Sequence, residues 1–237
     1  MRLDVYLAEK NMCKSRTAAQ ALVKAGSVSV NGRVCSRSSQ DIGEADLVEI
    51  TGEQLRYAGR GGLKLEAALE LFRLDISGAE CIDIGSSTGG FTDCMLQHGA
   101  ARVYAVDVGR DQLANFLRAD SRVVSMEQTD IRTAELPPAD FIGTDVSFIS
   151  LRLILPHIFR LLKSGGRAVV LIKPQFEAGR QSLSKKGIVR DERVRERICA
   201  DIEGFAEECG FTVLGRAQSP ITGGDGNIEY LMCIQKD

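Results

Sequence analysis

The chain begins with two short amphipathic patterns. Within Arg2–Lys10, Leu3, Tyr6 and Leu7 recur at helical spacing, and a second helical pattern starts at Ser15, a good N-cap, and stops at Gly26. Valines then alternate through "SVSVNGRVCS" around Asn31-Gly32, a strong hairpin signal, and "DLVEI" reads as one more strand. Residues 1–50 are therefore expected to form a small α+β unit, two helices followed by a small sheet. A turn-rich joint, "TGEQLRYAGRGG", follows over 51–62.

From Leu63 the pattern changes. "ECIDIG", "RVYAVDV", "VVSMEQTD", "FIGTDV" and "RAVVLIK" are apolar, β-branched runs, and helical patterns lie between them at 90–98, 111–118 and 149–163. Strands alternating with helices predict a mostly parallel sheet covered on both faces, an α/β domain over 63–237. After a charged helix at 190–209, "FTVLGRAQS" and "EYLMCIQ" are joined by a loop with no helix, which predicts an antiparallel strand pair at the end.

Composition narrows the class. Of 237 residues, 44% are hydrophobic and 26% charged, as in an ordinary globular protein. No apolar run approaches the ~20 residues that cross a bilayer, and the first residues lack the apolar core of a secretory signal. The seven cysteines show no C-x-x-C pair, which fits reduced thiols in the cytoplasm rather than a disulfide framework or a metal site. Net charge is −2, yet through residue 40 seven basic residues face two acidic ones. That asymmetry marks the amino-terminal unit as a nucleic-acid-binding end.

The bend "CIDIGSSTGGFTD" (81–93) carries the first chemistry: strand, glycine turn, helix N-terminus, the ligand crevice of an open α/β sheet. A pyrophosphate binder needs G-x-G-x-x-G, but Ser87 stands where the second glycine belongs, and Asp83 would repel a phosphate. S-adenosylmethionine, cationic and free of phosphate, suits the acid better. Its expected contacts are Asp83, Gly85, Ser86, Ser87, Gly89, Gly90, Phe91 and Asp145, with Asp107 on the ribose hydroxyls and Asp130 on the adenine amine. A class I methyltransferase fold follows, with its antiparallel last strand. No metal is expected.

The methyl acceptor is read from residues outside the bend. Base-methylating enzymes of this fold carry (N/D)-P-P-(Y/F/W) after the fourth strand, whereas this chain has "GTDVSFIS", with Asp145 and no proline. Lys64 stands at the start of the first large-domain helix, Lys173 ends the fifth strand in "VVLIKPQFE", and Glu229 precedes "YLMCI". A lysine closing an apolar strand beside the crevice is a candidate base.

In that order, Lys64, Asp145, Lys173 and Glu229 resemble the K-D-K-E tetrad of FtsJ-like ribose 2′-O-methyltransferases. "RLDVYLAE", "KSRTAAQALVKAGSVSVNGR" and "DLVEI" resemble the S4-type RNA-binding domain. Together with "GRGGLKL", "DIGSSTGGFTD", "IKPQFEAGR" and "SPITGGDGNIEY", they make the whole chain similar to the TlyA (hemolysin A) family. The resemblance implies methylation of a ribose 2′-hydroxyl, of cytidine in ribosomal RNA, with ribosomal RNA or a subunit as partner. Lys173 would be the general base and Asp145 and Glu229 would orient the lysines. RNA would be held by Arg2, Lys14, Ser15, Arg16, Lys24 and Arg33 and by the loop "GRQSLSKKGIVRDER" through Arg180, Lys185 and Lys186. A membrane-active hemolysin and a non-catalytic ribosome-assembly factor are the alternatives; stable membrane association is not expected.

Overall fold

The computed structural model describes residues 1–10, 12–13, 15–24, 26–43, 45–50, 56–179, 182–184, 186–223 and 226–237. Lys14, Arg180, Lys185 and the start of the joint lie outside the described residues.

The amino-terminal unit packs α1 (Leu3–Glu9) and α2 (Arg16–Lys24) on a three-stranded sheet of β1 (Val28–Val30), β2 (Arg33–Val34) and β3 (Val48–Ile50), with β1 central. Ser15 Oγ accepts the Ala18 amide at 3.1 Å, the N-cap bond its side chain predicts. Asn31 and Gly32 both take positive φ, 53° and 74°, which the hairpin turn between β1 and β2 requires. Leu3, Leu7, Ala19, Leu22, Val28 and Val48 form this unit's own core.

The larger unit contains α3 (Gly61–Leu71), β4 (Glu80–Ile84), α4 (Gly90–Gln97), β5 (Arg102–Val106), α5 (Asn115–Arg118), β6 (Val123–Met126) and β7 (Ala139–Thr144), then α6 (Leu155–Leu161), β8 (Leu162–Ile172), α7 (Pro174–Glu177), α8 (Glu192–Glu208), β9 (Phe211–Gln218) and β10 (Tyr230–Lys236). The strands form one sheet in the order β6-β5-β4-β7-β8-β10-β9. β4 through β8 are parallel, and β10 runs antiparallel to both β8 and β9, as the helix-free final loop predicts. One buried cluster joins the sheet to α6 and α8, and a second joins it to α3, α4 and α5, so both faces are covered.

Two helices are shorter than their patterns. The 111–118 pattern yields only Asn115–Arg118, because Glu127 accepts the amides of Gln112 and Leu113 and holds that stretch as a loop. The 149–163 pattern divides into a 3-10 turn, Leu151–Leu153, and α6, whose first turn takes Pro156. Part of the joint also belongs structurally to the larger unit. Tyr57 is 1% exposed, and the Ala58 amide donates to the Asp93 carboxylate of α4 at 2.8 Å.

All seven cysteines are free. Burial pushes the thiols of Cys81, Cys94 and Cys199 up to about 12, so they stay protonated core residues at neutral pH.

Candidate active site

Register places the chemistry along one edge of the sheet. Ile84 pairs with Val106 and Thr144, and Ile172 with Tyr230, so the ends of β4, β5 and β7 are level and β8 meets the start of β10. The residues just beyond these ends are Gly85, Asp107, Asp145 and Lys173, and Glu229 just precedes β10. Chain order reverses between β4 and β7, where an open α/β sheet forms its crevice.

Gly85 is required where those two strands part. Its φ is +84°, and a Cβ there would lie 2.8 Å from the Asp145 carbonyl oxygen. Beyond it, a cavity of about 570 Å³ is lined by Gly85, Ser87, Asp107, Asp130, Asp145 and Val146, among others. A second cavity, about 220 Å³, is lined by Gly85, Ser86, Ser87, Gly90 and Phe91 together with Asp145, Ser147 and Lys173. Lys173 and Ser147 also line a third, about 620 Å³, which Lys64, Phe148, Lys186 and Glu229 share. Ser147 lines all three; Asp145 is shared by the first and second, and Lys173 by the second and third.

The predicted acids differ in what they offer a ligand. Asp107 lines the first cavity with each carboxylate oxygen already accepting one backbone amide, Ser87 at 2.8 Å and Gly109 at 2.7 Å. Those bonds fix its orientation and leave a lone pair on each oxygen. Asp130 departs from expectation. It lies four residues beyond β6 rather than at the strand's end, and it is gripped by the Arg132 guanidinium at 2.6 to 3.0 Å. That fork holds its carboxyl down at about 2. Asp83 is fully buried and lines none of the three cavities; its Oδ2 accepts the Thr92 amide and hydroxyl, and its Oδ1 has no partner. Burial pushes its carboxyl up to about 7 against those two bonds. Asp83 therefore ties β4 to the first turn of α4 rather than facing the crevice. Gly89 also departs: a Cβ there would meet Leu117 at 2.2 Å, so its bare face admits α5, not a ligand.

The two lysines and two carboxylates, far apart in sequence, converge. Lys64 Nζ lies 2.7 Å from Glu229 Oε2 and 3.4 Å from Asp145 Oδ2. Lys173 Nζ lies 2.6 Å from Asp145 Oδ1, an ion-pair contact without hydrogen-bond alignment, and donates to Ser147 Oγ at 2.9 Å. Lys64, Lys173 and Glu229 are 7%, 8% and 2% exposed. A lysine so buried is not a surface side chain that merely lays its stem along the protein.

Several lining residues escaped the sequence: Gly59, Arg60 and Gly61 from the joint, Ser147 and Phe148 after β7, and Arg132. The paired glycines in "GRGG" and the polar-aromatic step "SF" straight after Asp145 were the available signals. Phe148 is 91% exposed at φ +64° and packs at a 50° tilt against Phe176, with ring centroids 5.1 Å apart.

In the amino-terminal unit, Arg2, Arg16 and Gln20 all donate to the buried Asp4 carboxylate at 2.8 to 3.0 Å. The Arg2 guanidinium beside it holds that carboxyl well below the usual range. Lys24, Arg33 and Lys186 are exposed, and Ser15 is half-buried as a cap.

Comparison with known proteins agrees with this geometry. The family model for FtsJ-like methyltransferases matches residues 57–236, and that for the S4 domain matches residues 1–48. Hemolysin A of Brachyspira hyodysenteriae is 44% identical, over 98% of this chain and 98% of the relative. The 16S/23S rRNA (cytidine-2′-O)-methyltransferase TlyA of Mycobacterium tuberculosis is 36% identical, over 99% of this chain and 89% of the relative. The chain belongs to the TlyA family of FtsJ-like methyltransferases. A solved Streptococcus thermophilus structure described as a hemolysin superposes with a TM-score of 0.79 at 46% identity, covering 100% of this chain and 88% of that one. Relatives named for lysis and for rRNA methylation thus both align with nearly the whole of this chain.

Proposed function

We propose that the protein is an S-adenosylmethionine-dependent methyltransferase that modifies a ribose 2′-hydroxyl of ribosomal RNA, with cytidine as the target nucleoside. The observation that carries this is the meeting of Lys64, Asp145, Lys173 and Glu229 between the outer cavity and the small cavity of the bend, both of which Lys173 lines. A ribose hydroxyl is too weak an acid to react unaided and needs a base at hand. No planar-amine clamp of the (N/D)-P-P-(Y/F/W) kind follows β7.

The crevice fits the cofactor. Gly85 opens the backbone at the switch point, Ser86, Ser87, Gly90 and Phe91 line the smaller cavity, and Asp107 presents two oriented acceptors to the larger one. Asp130, neutralised by Arg132, contributes the rim. When bound, S-adenosylmethionine supplies an electrophilic methyl group.

The residues divide the remaining work by their contacts. Lys64 is held by two carboxylates, which suits a fixed positive charge that orients Asp145 and Glu229. Lys173 shares Asp145 with Lys64, donates to the Ser147 hydroxyl and lies over the Phe176 ring, and it lines both the cofactor cavity and the outer one. As the neutral amine it takes the proton from the ribose hydroxyl and becomes the ammonium that Asp145 pairs with. The outer cavity receives the nucleotide, and the exposed Phe148, set against the half-buried Phe176, gives its base an aromatic face.

Residues 1–50 serve as the RNA-binding domain, 51–62 as the joint and 63–237 as the catalytic domain. Arg2 and Arg16, pre-aligned by Asp4, join Lys14, Lys24, Arg33, Arg180, Lys185 and Lys186 in meeting phosphates. Seven free thiols accord with a cytoplasmic protein. The lytic alternative draws on a relative's name and on no feature of this geometry.

The test is to incubate ribosomal subunits from a strain lacking the protein with labelled S-adenosylmethionine and to map the product. A single ribose-methylated cytidine is expected. Methylation of a base, or none by the intact protein, overturns the proposal.

A further inference from the structure

The tetrad has no positive charge to spare: two amines face two carboxylates, and Lys173 must be a neutral amine when it takes the proton, yet the proposed substrate is anionic. A ribose 2′-hydroxyl sits on the ring carbon next to the one that bears the 3′-phosphodiester. If the protein acts on that hydroxyl, a phosphate must come to rest close to the reacting oxygen. Left without a cation, it would be partly desolvated beside Asp145 and Glu229, an arrangement of like charges that costs several-fold more than the same contact in water.

The tetrad lysines are already engaged with those carboxylates. Two further cations line the outer cavity, Arg60 and Lys186. Lys186 is exposed and lines that cavity without reaching the cofactor side. Arg60 lines both the outer cavity and the small cavity of the glycine bend, so it stands at the passage where cofactor and nucleotide meet. Its side chain is exposed, and among the described residues no carboxylate lies within ion-pair reach of it. Its backbone is fixed: the Arg60 carbonyl accepts the Leu63 amide at 3.2 Å, at the head of α3, whose first turn carries Lys64 and no acid. The arginine and the tetrad lysine thus ride on one rigid element.

We infer that Arg60 binds the phosphate on the 3′ side of the target ribose, at the junction of the cofactor and substrate cavities. A guanidinium suits this position because its planar fork grips two phosphate oxygens at once and so fixes the sugar's rotation as well as its charge. This assignment rests on the function proposed above. The competing use of the same side chain is to hold the carboxylate of the cofactor's amino-acid end, since Arg60 also lines the cavity of the bend.

The experiment uses the full-length protein, as wild type, Arg60→Ala and Arg60→Lys, with ribosomal subunits from a strain lacking it. Three quantities are read: methyl incorporation, subunit affinity across a salt series with S-adenosylhomocysteine present, and S-adenosylmethionine affinity without RNA. Arg60→Ala is expected to weaken subunit binding about tenfold and to flatten the log-affinity against log-salt slope by about 0.7, the loss of one phosphate contact. Cofactor affinity should stay within about twofold. Arg60→Lys should restore the slope and recover part of the affinity, which a merely structural role would not do. Unchanged subunit affinity and slope in Arg60→Ala overturn the inference. So does a weakening of cofactor binding larger than that of RNA binding, which assigns the side chain to the cofactor's carboxylate. Wild-type protein that transfers no methyl group means that the proposed function has failed, and the inference with it.

Discussion

The two sides of the crevice are built in opposite ways. The cofactor side is made by a short stretch of chain turning on itself: Gly85, Ser86, Ser87 and Gly90 follow one strand, and Asp107 follows its neighbour, with carboxylate oxygens held by backbone amides of Ser87 and Gly109. The catalytic side is made by side chains from four distant segments, tethered chiefly to one another, with Ser147 as a further partner of Lys173. A backbone-built site is stiff and tolerates loss of a single side chain. A site built from mutual ion pairs has no such reserve, because removing one buried partner leaves the other's charge uncompensated, at a cost of about 3–5 kcal/mol.

That contrast decides which substitution tests catalysis cleanly. Lys64→Ala would strand Glu229, 2% exposed, without its nearest cation, so lost activity there would be mixed with lost stability. Lys173→Ala leaves Asp145 its contact with Lys64. It is expected to lower methyl transfer about a thousandfold, the scale of a general base, while S-adenosylmethionine affinity by calorimetry stays within about twofold. An active Lys173→Ala protein would remove the lysine from its role. On the opposite side, Asp107→Ala should do the reverse: cofactor affinity falls about a hundredfold through the loss of two charge-assisted bonds, and subunit affinity is unchanged. Equal losses in both measurements would mean that the two sides are not separable.

The same division explains what the sequence disclosed. The cofactor side was largely legible because its parts are contiguous: a strand, a positive-φ glycine and a helix start can be read in thirteen letters. The Asn31-Gly32 turn was legible for the same reason. The final antiparallel pair was visible in the absence of a helical pattern between "FTVLGRAQS" and "EYLMCIQ". Nothing local says that Lys64 and Glu229 touch, since 165 positions separate them. Their grouping came from a family resemblance, not from periodicity or spacing. Two misplacements and one difference in surroundings have physical causes. Asp130 looked like a strand terminus, but Arg132 two positions on captures it. Asp83 looked like a ligand contact, but the free amide and hydroxyl of Thr92 claim it. Gly89 looked like part of the ligand turn, but a side chain from α5 fills the space over it.

Gly89 allows a sharper separation of packing from binding. Its φ is +96°, and Leu117 would lie 2.2 Å from an added Cβ. Gly89→Ala should therefore cost about 2 kcal/mol of stability from left-handed strain and overpacking. A lowered Tm with cofactor affinity preserved, measured below the transition, is the expected result. Lost affinity in a protein of unchanged Tm would return Gly89 to the ligand site.

The smallest effect is expected on the catalytic side, at Gly223. Its φ does not lie in the left-handed region, so alanine can adopt the backbone without strain, but the new Cβ would sit 2.5 Å from Glu229 Oε1. The atom in the way is the end of a flexible side chain, so the protein can relieve the clash by turning the carboxylate. Stability should change by less than about 1 kcal/mol. Glu229, however, is what fixes Lys64 at 2.7 Å, and Lys64 reaches Asp145, which in turn holds Lys173. A displaced carboxylate is passed along that chain of contacts to the base, and kcat should fall about tenfold with Tm, cofactor affinity and subunit affinity all nearly unchanged. If Gly223→Ala instead retains full kcat, the four side chains are not a mechanically linked unit, and the contrast between a backbone-built and a mutually tethered side loses its second half.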